Sequence, residues 1–321
     1  MNTTSATAKK VNSKVIIVIV AIVAVLAVLH VLTGFKLLSG TNLLNLLSSM
    51  TVPTILATGF AFVFGSNVTD LSPGAMVILA ATVAGVSGNA LGIPMMIVLS
   101  IAVGIGMGAL NFSIFRIAKI PPWIAGLGMT MVYEAIVGWY SSYRVSQGLT
   151  TVMLNDNARV IGMTPYIYIV LAITIVAGYI IYNHTTAGIN LRAAGCNEQV
   201  AGIMGINVTK SLIICGIIAG AFFGFAGCVK EAYAGFANAQ SGLSSLSTTF
   251  QPLAAVLLAK AISKYVNYMI GIPIGTFIIV LTFNCLTLLG VPSGTFQDAC
   301  LGLVVIVFGL LAQRGVKGVV K

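Results

Sequence analysis

Asp70, Glu134, Asp156, Glu198, Glu231 and Asp298 are the only carboxylate side chains in the sequence, and no two stand three or four positions apart. Acid–base catalysis by paired carboxylates on one helix face is therefore excluded. The five cysteines, Cys196, Cys215, Cys228, Cys285 and Cys300, form no CxxC pair, and His30 and His184 complete no ligand set. The sequence therefore assigns no catalytic residue and no metal ligand, and the thiols read as small buried hydrophobes. No GxxxxGK[ST] phosphate loop occurs, so nucleotide hydrolysis is not this chain's own chemistry. Of the acids, only Glu134 reads as falling clearly within an apolar span, where a lone carboxylate facing a polar neighbour is a simpler reading than a proton relay.

The elements that position these residues belong in lipid. Of 321 residues, 58% are hydrophobic and 7% charged, against about 25% charged in a soluble domain. Sixteen basic and six acidic side chains cannot cover a soluble fold of this size. The net charge of +10 comes in ones and twos between apolar runs, without the clustered stripe that nucleic acid would need.

At about 20 apolar residues per span, ten spans are expected, near 15–32, 43–65, 71–87, 93–115, 121–141, 165–183, 212–236, 246–262, 269–289 and 296–312. A cytoplasmic N-terminus then puts twelve of the sixteen cations inside, leaving only Lys36, Arg144, Arg159 and Lys230 outside. Both termini are expected in the cytoplasm, with 1–14 and 313–321 as tails of a single membrane domain, 1–321. Segment 142–164 reads as an outer polar loop or short surface helix, and 184–211 as a long inner loop.

TGFAFVFG (58–65) resembles AGAFFGFAG (219–227), and GIP recurs at 92–94 and 271–273. These echoes suggest two four-span repeats of opposite orientation, a feature of transporters. Gly104 with Gly108, Gly271 with Gly275, and Gly216, Gly220 and Gly224 have the four-residue spacing that lets helix backbones approach closely.

Two polar segments stand out. SNVTDLSPG (66–74) interrupts an apolar stretch, with Ser72 as a candidate N-cap and Pro73 at the first helical position. The break either sits at the membrane surface as a plain turn, the simpler reading, or dips in beside a pathway. In the inner loop, Asn197 as N-cap, Glu198 in the first turn and Gly205 as a left-handed C-cap predict a helix over 198–204. With Ala194, Gly195, Ala201 and Gly202 offering little bulk, it reads as an exposed surface inserted into another protein's cleft.

This loop carries a resemblance. AGINLRAAGCNEQVAGIMGINVTK and the glycine-rich SLIICGIIAGAFFGFAG resemble the signature region of permease subunits of bacterial ABC importers of the ribose and simple-sugar type. Gly188, Arg192, Ala193, Gly195, Asn197, Ala201, Gly205 and Ile206 match the family pattern, and Asp70, Leu71, Ser72 and Gly74 match its Asp-Leu-Ser-x-Gly motif.

The resemblance implies a multi-pass protein of the bacterial inner membrane that binds no cofactor itself, with ATP and Mg on partner ATPase subunits. It also implies an extracytoplasmic substrate-binding protein and a second permease copy. The loop helix would dock on the ATPase, with Gly188, Arg192, Ala193, Gly195, Asn197, Glu198, Ala201 and Gly205 forming the coupling surface. Asn111, Gln251 and Asn284 are amides in or near spans that could line the pathway for a small polar solute such as ribose. Phe250-Gln251 stand where the family usually carries an acid, and Lys260-Ala261 where it carries glycines. That departure leaves open a nucleoside or other non-sugar solute, or pairing with a more typical permease in a heterodimer. A stand-alone secondary transporter or facilitator is the competing class.

Overall fold

Apolar runs fold as helices in lipid because each backbone N–H and C=O must find its partner within the segment. The computed structural model describes residues 27–149, 152–292 and 294–313. It contains α1 (Gly40–Ser49), α2 (Thr51–Gly65), α3 (Pro73–Leu91), α4 (Ile93–Ala118), α5 (Pro122–Ser146), α6 (Tyr166–His184), α7 (Thr186–Cys196), α8 (Glu198–Ile203), α9 (Val208–Ala234), α10 (Ser247–Ile262), α11 (Tyr268–Leu288) and α12 (Thr295–Gln313). Most of the expected first span and nearly all of both tails lie outside the described residues.

The chain is an all-α membrane protein. Among the described residues six helices are long and apolar enough to cross a membrane, or up to seven spans if α1 and α2, bent by 40°, count as one. The outer loop holds more than a polar turn: a 3₁₀ segment at Asp156–Gly162, and a strand β1 (Val152–Met153) paired antiparallel with β2 (Phe236–Ala237).

Helix α9 is the axis of the bundle and packs on α2, α3 and α4. Its contact with α4 is made backbone to backbone, as the glycine spacing predicts. A Cβ at Gly104 would stand 2.6 Å from the Gly224 Cα, and one at Gly108 would stand 3.0 Å from the Gly220 Cα. Close approach multiplies dispersion contacts that no side chain could mediate. On the other side of the bundle, Gly271 and Gly275 of α11 meet Ala259 and Ala255 of α10 in the same way.

The two similar aromatic motifs face each other across the core. Phe60 of α2 lies edge-on to Phe223 of α9 at 5.5 Å between ring centroids, and Phe62 stacks on Phe222 at 5.7 Å.

Candidate functional site

Two interruptions of helical backbone, at 66–72 and 238–246, meet inside the bundle, and one face of α5 holds both. Asp70 is only 2% exposed. Its Oδ1 accepts the Ser72 N–H at 2.9 Å, and its Oδ2 accepts the Ser72 hydroxyl at 3.0 Å. The amide of Asn111, well within α4, donates to Ser72 Oγ at 2.6 Å and to Asp70 Oδ2 at 3.3 Å. Its carbonyl oxygen accepts the Tyr133 hydroxyl at 2.7 Å. A surface turn would leave these groups to water, so the first break runs within the bundle. Ser72 does occupy the N-cap position, yet its side chain makes no capping bond, because its hydroxyl is already spent on Asp70.

Positions 126, 130 and 134 succeed one another on the same face of α5. At Gly126 a Cβ would stand 2.5 Å from Asp70 Oδ1. The Thr130 hydroxyl donates to the Leu71 carbonyl at 3.3 Å. Glu134, 4% exposed, accepts the backbone N–H of Leu243 through Oε2 and that of Ser245 through Oε1, both at 2.9 Å. The lone acid of α5 thus fixes the second break, including the 3₁₀ turn Ser244–Leu246. Gly74 closes the arrangement: any side chain there would run into the Ser245 carbonyl. Asp70, Leu71, Ser72 and Gly74 are therefore residues that shape the meeting of the two breaks.

Among the described residues, the remaining pathway candidates make no hydrogen bond with this cluster of side chains. Asn284 of α11 exchanges two amide hydrogen bonds with Asn42 of α1, at 2.9 and 3.2 Å. Gln251 is half-buried in the first turns of α10, downstream of the second break.

The inner loop is more helical than expected, since α7 precedes the predicted short helix. Asn197 caps α8 by accepting the Gln199 and Val200 N–H groups at 3.0 and 3.1 Å. Gly205 ends it at φ +82°, the left-handed conformation that glycine adopts at least cost. Glu198 pairs with Arg116 of α4 at 3.3 Å, and the Arg116 Nε donates to Thr209 Oγ1 at 2.9 Å. Gly188 sits against the Ile181 and Tyr182 carbonyls, and Gly195 against Gly65 and Ser66, so neither leaves room for a side chain.

Two expectations about this loop are corrected. Ala194 and Ala201 are each 2% exposed, because their small size lets the loop lie flat on the bundle. The surface offered outward is bulky and apolar instead: Val200, Ile203 at 87% and Met204 at 74% exposed. Ala193 is half-buried beside Arg192. The Arg192 side chain folds back, its Nε donating to the Gly188 carbonyl at 3.1 Å and its guanidinium lying 5.0 Å from the Tyr182 ring centroid.

Glu231 was missed. It lies inside α9, fully buried, and neither carboxylate oxygen has a hydrogen-bond partner among the described residues. It falls inside the expected span 212–236, close to its end, where the sequence alone gives it no partner and no role.

Apolar helices whose polar connections are buried against one another in the interior make a multi-pass membrane bundle. The comparisons name the class: residues 42–309 match the family described as "Branched-chain amino acid transport system / permease component", and the chain belongs to that family. It is similar to the ribose import permease protein of Escherichia coli K12, at 27% identity over 287 residues covering 85% of each chain. The ribose import permease protein of Bacillus subtilis is 29% identical over 280 residues, again 85% of each. The galactose/methyl galactoside import permease protein of Haemophilus influenzae is 26% identical over 273 residues, 78% of this chain and 80% of the relative. No solved structure matches.

Proposed function

We propose that this chain is the membrane-embedded permease of an ATP-driven importer, carrying a monosaccharide such as ribose or galactose across the bacterial inner membrane. The named relatives import those sugars, and the chain covers most of their length. On this reading 1–321 is one permease domain of ten spans with both ends in the cytoplasm. Helices α1–α5 and α9–α12 are its two inverted halves, each with one helical break, and α7–α8 lie between them.

The observation that carries the reading is the tip of α8. Val200, Ile203 and Met204 project from a short helix that would not hold its fold alone. It is pinned to α4 by the Arg116 contacts with Glu198 and Thr209. A large apolar tip exposed at the cytoplasmic end of a rigid mount suits insertion into an ATPase subunit. Gly188, Arg192, Ala193, Gly195, Asn197, Glu198, Ala201 and Gly205 shape the mount rather than the tip. ATP and Mg belong to that partner, which must bind one state of the permease more tightly than the other, since equal affinity would shift nothing. A substrate-binding protein outside and a second permease copy complete the assembly.

The reading is tested by co-purification with the candidate ATPase subunits, comparing the native chain with Ile203→Asp/Met204→Asp. A charged tip should lose the ATPase while the permease remains folded. Retention of the ATPase would move the docking surface elsewhere.

A further inference from the structure

The second break sets non-helical backbone deep inside the bundle. Glu134, which holds Leu243 and Ser245, is the thirteenth of the twenty-five residues of α5. At 1.5 Å per residue it stands about 18 Å from either helix end. On the ten-span reading α5 crosses the membrane, and within a span irregular backbone is tolerated only when buried in protein or lining a water-filled cavity. Burial does not account for this segment, because Ser241, Ser244 and Ser247 are exposed and Gln251 is partly so.

The chemistry of this ledge is neutral and two-sided. Ser244 Oγ accepts the Ser241 N–H at 3.2 Å and keeps its own O–H to donate, whereas the Ser247 hydroxyl donates to the Ser244 carbonyl at 2.8 Å and keeps acceptor capacity. The Gln251 amide offers both. Residues 232–259 contain no Asp, Glu, Lys, Arg or His.

Helix N-termini attract anions, and two of them point at this meeting place. Each already holds a carboxylate of the chain itself: Asp70 on the Ser72 N–H at the start of α3, and Glu134 on the Leu243 and Ser245 N–H groups ahead of α10. Among the described residues whose hydrogen bonds hold the two breaks, no charge is left over to pair a solute carboxylate or ammonium, and leaving either unpaired is costly. A hydroxyl, which both donates and accepts, is matched.

We propose that Ser241, Ser244, Ser247 and Gln251 form the wall of the solute pathway and select an uncharged polyhydroxylated solute over an amino acid. This rests on the permease reading above and assigns the residues that would favour its sugar over an amino acid, in a family described by amino acid transport.

The test is thiol accessibility in membrane vesicles holding the intact transporter. Cys196 and Cys300, the exposed and half-buried thiols, are first replaced by serine. Ser241→Cys, Ser244→Cys and Ser247→Cys are then compared with Val176→Cys, an exposed position at mid-length of α6, using the neutral 2-hydroxyethyl methanethiosulfonate. The thiolate is the reactive form and needs water, so the ledge positions should react about tenfold faster or more than Val176→Cys. Ribose or galactose should slow them, and leucine should not.

Reaction no faster than at Val176→Cys at all three sites overturns the pathway wall, whatever the solute. Fast reaction slowed by leucine alone keeps the wall and overturns the sugar reading. Fast reaction that no solute slows overturns the contact between solute and ledge.

Discussion

Glu134, halfway along α5, receives the backbone N–H of Ser245 at 2.9 Å, 111 positions further along the chain. With Leu243 as its second donor, the carboxylate spends both oxygens on main-chain amides and fixes the non-helical segment that leads into α10. Glu134→Gln replaces one acceptor with an amide nitrogen facing a donor. Hydrogen bonds to charged groups contribute about 1.5–3 kcal/mol, so the variant should unfold several degrees earlier in detergent and lose most transport. An unchanged unfolding temperature would show that the segment is held by other contacts.

Asn111 joins three elements through Ser72, Asp70 and Tyr133. Asn111→Leu conserves volume but leaves a buried carboxylate and two hydroxyls short of partners. A loss of about 1–3 kcal/mol is expected, read as a lower unfolding temperature. Tyr133→Phe, which removes a single hydroxyl shared between Asn111 Oδ1 and the Met107 carbonyl, should cost less than half as much; equal losses would argue that Asn111 acts through packing.

The α4–α9 contact predicts a contrast between glycines of the same helix. Gly104→Val drives a side chain into Gly220 and Gly224, whereas Gly106 has open space within 4 Å of its Cβ position. Overpacking of this kind costs about 1–3 kcal/mol. Gly104→Val should abolish a monodisperse peak on size-exclusion chromatography, and Gly106→Ala should leave it intact. Similar behaviour of the two would mean that the helices separate easily here.

The Arg116–Glu198 pair has side chains 42% and 54% exposed, and such pairs contribute at most about 1 kcal/mol. Glu198→Arg should therefore barely move the unfolding temperature. It repels the mount of α8 from α4, so ATP-driven uptake should fall while the protein remains folded. A parallel fall in both would make the pair a folding contact.

Helix positions were legible in the sequence because lipid enforces long apolar runs, and the glycine spacing marked helices that pack closely without saying which helix meets which. Asn197 and Gly205 were legible because a cap is a local signal. The Glu134 clamp was not, since its partners are main-chain N–H groups that carry no side-chain signature and lie more than a hundred residues away. Polar residues in SNVTDLSPG suggested a surface, but Asn111 and Tyr133 supply in the interior the hydrogen bonds that water would have given. Small residues in the inner loop suggested an open surface for the opposite reason: alanine and glycine permit close packing, and here Ala194 and Ala201 use it against the chain's own bundle.

Uptake of labelled ribose and galactose into proteoliposomes tests the permease reading most directly, with the chain reconstituted alone or with its candidate ATPase subunits and binding protein. Accumulation should require the partners and ATP, and should disappear in Ile203→Asp/Met204→Asp. Equal uptake by the chain alone, without ATP and indifferent to the α8 tip, would contradict the account and make this a stand-alone transporter.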